Sequence, residues 1–462
     1  MDAGRYPEAA ALYRELVQAL PENPGLRLDL GLALYSESNY RDAVVQFQAA
    51  IHHQPDLEPA WLMLGLSYLK LDEPRSAIEP LERALRISPT DQKARLEIAD
   101  AYLSVGKVEE ASRQFKVITE SDPGNPKAWQ GLGLSYAALS RVVFGQLEKT
   151  SPNSPYHDVL LAQSLLARGQ DRSAFYWYKQ AIARNGDLPG VHAALAQIYR
   201  DSGHPDWASI ESNRERQESG PDCTREPLEC DYLAGRLSQV LTAANRDDRP
   251  ENLYWKAQAY ERLSAQALAH LAAMPESAEI HELLAEAALM KGDYHGAVNE
   301  WRVGLKLAPE DNRVIEGLSH ALWLDNQYSE AKQLLEQLVQ SNPGSAEIHF
   351  ELGDTLLATG STDEAIPQLE EAVKLHPSLA PAQASLGRAY LRAGRPKDAI
   401  PPLKAARPGD EKGAALYQLA QAYRQTGQKA LADQALREFQ RSSAAGLERN
   451  TELDKEREIT AP

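Results

Sequence analysis

Residues 60–89 read AWLMLGLSYLKLDEPRSAIEPLERALRISP. Trp61, Leu64, Gly65 and Tyr68 recur at three and four, as do Ala77, Leu81 and Ala84, which is the spacing of one face of an α-helix. The intervening LDEP interrupts the pattern, and Pro89 closes the second run because proline cannot continue a helix. The stretch therefore reads as two short helices joined by a tight turn.

The pair recurs at a fixed interval. Upstream stand Leu30, Gly31, Leu34, Ala43, Phe47, Ala50 and Pro55, and downstream Ile98, Ala99, Tyr102, Ala111, Phe115 and Pro123, in the same register. A further step back lands on Ala9, Tyr13 and Pro21, with Gly4 and Tyr6 ahead of them, so the chain opens on what reads as a second helix alone. That pattern raises the expectation that the true start lies upstream of Met1. Small residues at the eighth and twentieth places let the paired helices approach closely, where a larger side chain would overpack. Glycine at the fifteenth place, as in Gly106, Gly292 and Gly360, takes the left-handed conformation that stops the first helix.

The spacing Trp61, Leu64, Gly65, Tyr68, then Ala77 and Leu81, then Pro89 resembles the tetratricopeptide repeat, W-x2-L-G-x2-Y followed by A-x3-F and P. The resemblance covers residues 4–441 as about ten and a half units. It implies an all-α fold: a right-handed superhelical solenoid of antiparallel helix pairs. Long bacterial solenoid proteins of this family look most similar. The expected organisation is an incomplete repeat at 1–22 and a first block at 23–208, with a degenerate unit near 137–154. An irregular cysteine-containing connector at 209–250, a second block at 251–441 and a charged, frayed tail at 442–462 complete it. A lapse in the repeat uncouples its two sides, since solenoid contacts are nearest-neighbour.

Composition narrows the partner. With 49 Lys plus Arg against 66 Asp plus Glu the formal charge is −17, which excludes broad nucleic-acid binding because phosphate contacts need a basic face. A basic or neutral protein or peptide is the expected partner. No run approaches the ~18–20 uncharged apolar residues of a membrane-spanning helix, so no direct membrane span is expected. No uninterrupted apolar stretch follows a basic start. The location stays open: periplasmic or exported if the chain starts upstream, cytoplasmic otherwise.

No catalytic constellation is visible, and neither a cofactor nor a metal is expected. QGLGLSYA, from Gln130, lacks the third glycine of a phosphate loop, and HELLAE, from His281, lacks the second histidine of a zinc motif. His192, His281 and His349 occupy the fourth place, where Trp61 and Trp129 stand elsewhere, and read as packing residues. An enzyme site in residues 209–252 is the rival reading, and no nucleophile–base pair supports it. Cys223 and Cys230 would be ~10 Å apart on one helix, beyond disulfide reach. Pro221 and Pro227 make the segment a loop in which they can bridge, or they stay reduced thiols.

The family resemblance implies that the second, fifth, ninth and twelfth places of each first helix line the concave face. Two unlike grooves follow. One is apolar, with Leu28, Leu32, Tyr35, Leu62, Leu66 and Leu69. The other is acidic, with Glu279, Glu282, Glu286, Glu316, His320 and Trp323, then Glu347, Phe350 and Asp354, and beyond them Arg388 and Arg392. The Lys and Asn clamp by which some family members hold a carboxylate tail is absent: Leu28, Leu32 and Met63 stand in its places. The sequence thus reads as a non-catalytic scaffold that binds a peptide or helical segment along its concave face. The alternative is a subunit of an assembly or secretion complex, cut from a larger protein. If the two cysteines bridge, intact mass of non-reduced protein from an oxidising compartment shows no alkylatable thiol; two such thiols contradict the pairing.

Overall fold

The computed structural model describes residues 5–184, 188–217, 221–410, 413–456 and 458–462. Gly4 of the opening repeat and Glu411 and Lys412 of the late turn lie outside them. The described residues form 25 α-helices and one short 3-10 turn, with no strand. They group into two compact units: Met1–Ala128 with Met274–Gly446, and Trp129–Ala273 with Leu447–Pro462. The sequence division at 208 and 251 does not follow these limits.

In the first unit the helix pairs keep a nearly constant length, such as Pro24–Ser36 with Tyr40–His53 and Ala346–Ala358 with Thr362–Leu375. Each pair is locked by a large side chain at the twenty-fourth place seated against a small residue at the eighth. A Cβ on Gly31 would lie 2.5 Å from Phe47, and one on Gly353 would lie 2.6 Å from Leu369. Phe47, Leu81, Phe115, Trp301, Leu335, Leu369 and Leu403 all fill this place and are fully buried, as are Ala43, Ala77, Ala111, Ala297, Ala331, Ala365 and Ala399 four residues before them.

The fourth place ties successive repeats together. Trp61 Nε1 donates to the Pro55 carbonyl at 2.9 Å, Gln383 Nε2 to Pro377 at 2.9 Å, and Arg27 Nε to Pro21 at 2.7 Å. His349 meets the Pro343 carbonyl at 3.2 Å and Gln368 at 2.8 Å. Proline that ends one repeat thus supplies an acceptor to the first helix of the next. The turn between paired helices is left-handed at the fifteenth place even without glycine: Ser38, Asp72 and Asn326 have φ of 60°, 57° and 60°.

The second unit departs from the expected degenerate repeat. No separate short helix forms near 137–154; a single helix runs Pro126–Thr150. Gly133 keeps its place, and the side chain it receives comes from Leu268, 2.6 Å from where a Cβ would be. The helix Pro250–Ala272 carries Leu268, its Ser264 Oγ donates to the Gly133 carbonyl at 2.9 Å, and Ser140 Oγ donates to Ala257 at 3.2 Å. The partner helix that the local sequence lacks is therefore supplied from more than a hundred residues downstream. Between the two lie the pairs Pro155–Ala167 with Asp171–Arg184 and Val191–Asp201 with Pro205–Gln217, then short helices Pro227–Leu233 and Leu237–Ala244.

The tail is not frayed. Helix Lys429–Glu456 continues through most of it, and beyond its end Ile459 packs on the second unit's core while Tyr199 Oη donates to the Thr460 carbonyl at 2.7 Å. Cys223 and Cys230 are disulfide-bonded, with Cα atoms 5.6 Å apart.

Gly133→Ala should cost about 1–3 kcal/mol, because its methyl overlaps Leu268. In a double-mutant cycle by chemical denaturation, Leu268→Ala should recover part of that loss. Strict additivity would contradict this pairing.

Candidate functional site

The acidic residues predicted for the concave face come from the second, fifth and ninth places of helices Ala278–Met290, Asn312–Leu324 and Ala346–Ala358, with Trp323 at a twelfth place. The first unit brings most of them together. His320 Nδ1 lies 2.6 Å from Glu351 Oε1, and this bond, opposed by burial, raises the imidazole with help from Glu286 and Glu316. Trp323 Nε1 donates to Asp354 Oδ2 at 3.2 Å, and its ring meets Phe350 edge-on at 5.6 Å. Asp354 also accepts from Ser385 at 2.8 Å and pairs with Arg388. Arg392 turns instead to the Leu357 carbonyl, 2.6 Å away. Glu279 is buried, and Glu347 reaches His376 at 3.8 Å.

Helices of the first repeats face this acidic surface. Lys127 Nζ pairs with Asp311 at 3.1 Å, and a Cβ on Gly344 would lie 2.4 Å from the Leu71 carbonyl oxygen. Burial pushes the Asp100 carboxyl up to about 6, Glu97 and Glu282 add to the rise, and Arg313 and Lys127 oppose it. Desolvation raises Glu316 together with Glu351, Asp72 and Glu347; it raises Asp72 together with Glu347, and Glu286 together with Glu282. The cleft between the two segments of this unit is therefore lined by carboxylates that repel one another.

The apolar groove has a different fate. Leu28, Leu32 and Tyr35 are partly buried and packed on the core of the first repeats, Leu66 is buried, and Leu62 and Leu69 are half-buried. Burial raises the Tyr35 hydroxyl, with Tyr40 and Glu97 contributing. Leu28, Leu32 and Tyr35 thus serve the packing of the first repeats, while Leu62 and Leu69 keep part of their surface exposed.

Sequence reasoning passed over Asp100, Lys127 and Arg313. Asp100 stands at the ninth place and Lys127 and Arg313 at the second, so the frame that found Glu316 and Trp323 also contained them. Asp72, in a turn, and Glu351, at the sixth place, lie outside that frame. His192 and His281 behave as the fourth place suggests: His192 is buried against Glu211, and His281 contacts Glu300 at 2.8 Å. Among the described residues no group of three or more His, Cys, Asp or Glu could hold a metal ion, and no helix is long and apolar enough to cross a membrane.

Stacked helix pairs around a polar cleft define a helical-repeat protein. The chain belongs to the tetratricopeptide repeat family: its repeat signature matches residues 1–65, 68–134, 322–386 and 356–412, and a second signature of the family matches 414–443, together more than half of the chain. Among solved structures, one titled "Crystal structure of MamA protein" is 24% identical over 41% of this chain and 100% of its own, with a TM-score of 0.31. MamA 41-end from Desulfovibrio magneticus RS-1 is 19% identical over 37% and 98%, at 0.34. Yeast Tom70 is 16% identical over 94% and 95%, at 0.33. No curated protein matches the chain.

The cleft carboxyls set a pH dependence. A carboxyl raised from 3.8 to about 6, as in Asp100, costs nothing while protonated in both states; the cost of holding it ionised builds as pH rises from about 4 to 6. His320, raised above 6.5, stabilises the fold below that value and stops doing so as pH rises through its folded pKa. Both signs agree. The chain should melt higher at pH 5.5 than at pH 7.5, and Asp100→Asn should raise the melting temperature at pH 7.5 by roughly 2–4 °C while shrinking that difference. A melting temperature that rises with pH over this window contradicts the assignment.

Proposed function

We propose that the chain, a protein-interaction scaffold by its family, binds a basic peptide or helical segment along the concave face of residues 278–358. The reading rests on one observation: Asp72, Glu286, Glu316 and Glu347 converge in the cleft of the first unit with their negative charge only partly compensated. Asp72, Glu316 and Glu347 repel one another, as do Glu286 and Glu282 beside them, so an incoming cation that relieves this repulsion gains on top of the direct attraction. A concave acidic surface also concentrates basic partners and speeds their capture. Trp323 and Phe350, stacked edge-on beside it, supply an apolar anchor of the kind that dominates interface energetics.

Charge already satisfied within the chain does not contribute. Asp354 is engaged by Arg388, Ser385 and Trp323, so it shapes the wall of the site and is not free to bind. The working carboxylates are Glu282, Glu286 and Glu316, which make no ion pair with Lys or Arg among the described residues and whose imidazole neighbour, His320, is itself engaged by Glu351.

The test uses a fluorescein-labelled basic amphipathic 20-residue helix as probe. Reversing Glu282, Glu286 and Glu316 to Lys should abolish its binding without loss of helical content. Binding to the native chain should weaken as ionic strength rises and the Debye length falls from about 10 Å at 0.1 M to about 3 Å at 1 M. Unchanged affinity after the triple reversal would show that the cleft is only a solvated face.

A further inference from the structure

The second unit contains a cavity of about 1260 Å³ that no repeat pattern anticipates. Its size exceeds the roughly 300–1,000 Å³ usual for a drug-sized ligand and suits a stretch of polypeptide. Tyr254 and Trp255, both buried, form part of its lining with the half-buried Tyr232, whose ring centroid lies 5.2 Å from that of Trp255. Leu233 stands at its edge, more than half exposed. Its acidic side includes Glu215, Asp222, Glu226 and Glu229, of which Asp222 pairs with Arg225 at 3.6 Å and Glu215 accepts the Ala193 amide at 3.0 Å. The guanidinium of Arg214, also on the lining, is 2.7 Å from Glu211, which is wholly buried, so this positive charge is spent within the chain.

Two of these four carboxylates come from the segment between the two cysteines. Asp222 precedes Cys223, and Glu226 and Glu229 lie inside the loop that Cys223 and Cys230 close. The Asp222 amide donates to Glu226 at 2.9 Å, which folds the loop on itself. The negative field of this wall reaches into the aromatic part: Tyr156, whose ring centroid lies 5.3 Å from that of Tyr254, is pushed up to about 12 by burial and by Glu251, Glu226 and Glu229. The chain's own Arg262 stacks on the Tyr232 ring, 5.2 Å from its centroid, so an incoming guanidinium or ammonium group finds its partners in the carboxylates.

We propose that this cavity is a second binding site, for a peptide segment presenting an arginine or lysine next to an apolar residue, and that the Cys223–Cys230 disulfide holds its acidic wall in place. The apolar neighbour lies against Leu233 and Tyr232 while the cation meets Glu226 and Glu229. Charge complementarity selects this occupant: a wall of carboxylates repels nucleic acids, phosphopeptides and acidic tails alike. Reduction weakens the site. Dithiothreitol supplies two electrons and two protons to the disulfide, is itself oxidised to its cyclic disulfide, and leaves two thiols that no longer constrain the loop.

The experiment is fluorescence anisotropy on the full chain carrying the three Glu→Lys reversals, so that binding in the first unit's cleft does not contribute. The probe is a labelled decapeptide pool with a fixed central arginine flanked by leucines, compared with the same pool carrying citrulline, which is isosteric and uncharged. The arginine pool should bind at least tenfold more tightly. Glu226→Gln with Glu229→Gln should weaken it roughly tenfold. Glu226→Gln alone, at an exposed position, should give part of that loss. Cys223→Ser with Cys230→Ser, or reduction, should weaken it several-fold. Equal binding of the two pools, or no binding of either, overturns the site; so does unchanged binding in both glutamine variants. Unchanged binding in the serine variant overturns the role of the disulfide. Failure of the triple reversal to affect the 20-residue helix bears only on the cleft of the first unit and leaves these readouts separate.

Discussion

A small residue in one helix facing a large side chain from the next is the contact on which this molecule is built. Gly31 receives Phe47 and Gly353 receives Leu369, each so closely that a single methyl group would collide. Interiors packed at crystal-like density do not absorb such collisions without strain. Because the contact fixes the separation within each helix pair, it also fixes where the second, fifth, ninth and twelfth places of the first helix point. The cleft is a consequence of that spacing repeated.

The same contact explains the unit that the repeat did not describe. Gly133 needs a large neighbour, and the sequence directly after it provides no second helix. Leu268 meets the requirement from far along the chain, and the residues between are enclosed as a separate compact unit. A periodic reading sees only local partners, so it recorded the stretch near 137–154 as a defective repeat. The rule for the glycine was legible; the identity of its partner was not, because nothing in the composition around Leu268 marks it as a replacement. For the same reason the docking of Ile459 and Thr460 at Tyr199 was invisible: the tail's charge suggested solvation, while its last residues meet the core.

The cleft was readable in part. Positions on the repeat frame located Glu282, Glu286, Glu316, His320 and Trp323, and the structure gathers these into one region. The first repeats as the opposing wall were not readable, since facing surfaces of one unit come from segments separated by well over a hundred residues. Asp100 and Arg313, on the frame yet overlooked, attract each other electrostatically there, an interaction that a sequence of independent repeats does not announce. Of the apolar positions expected to form a second groove, Leu28, Leu32 and Tyr35 pack on the core of the first repeats and Leu66 is buried, which shows why exposure cannot be assigned from helical phase alone.

Hydrogen–deuterium exchange of the full chain, with and without saturating basic 20-residue helix, reports where a partner sits. Amides in stable helices exchange through local opening, and a bound partner slows that opening where it touches. Added protection should concentrate in helices Ala278–Met290, Asn312–Leu324 and Ala346–Ala358, with a smaller gain in Gln92–Ser104 on the opposing wall. Protection confined to other helices, or none at saturation, would contradict this placement.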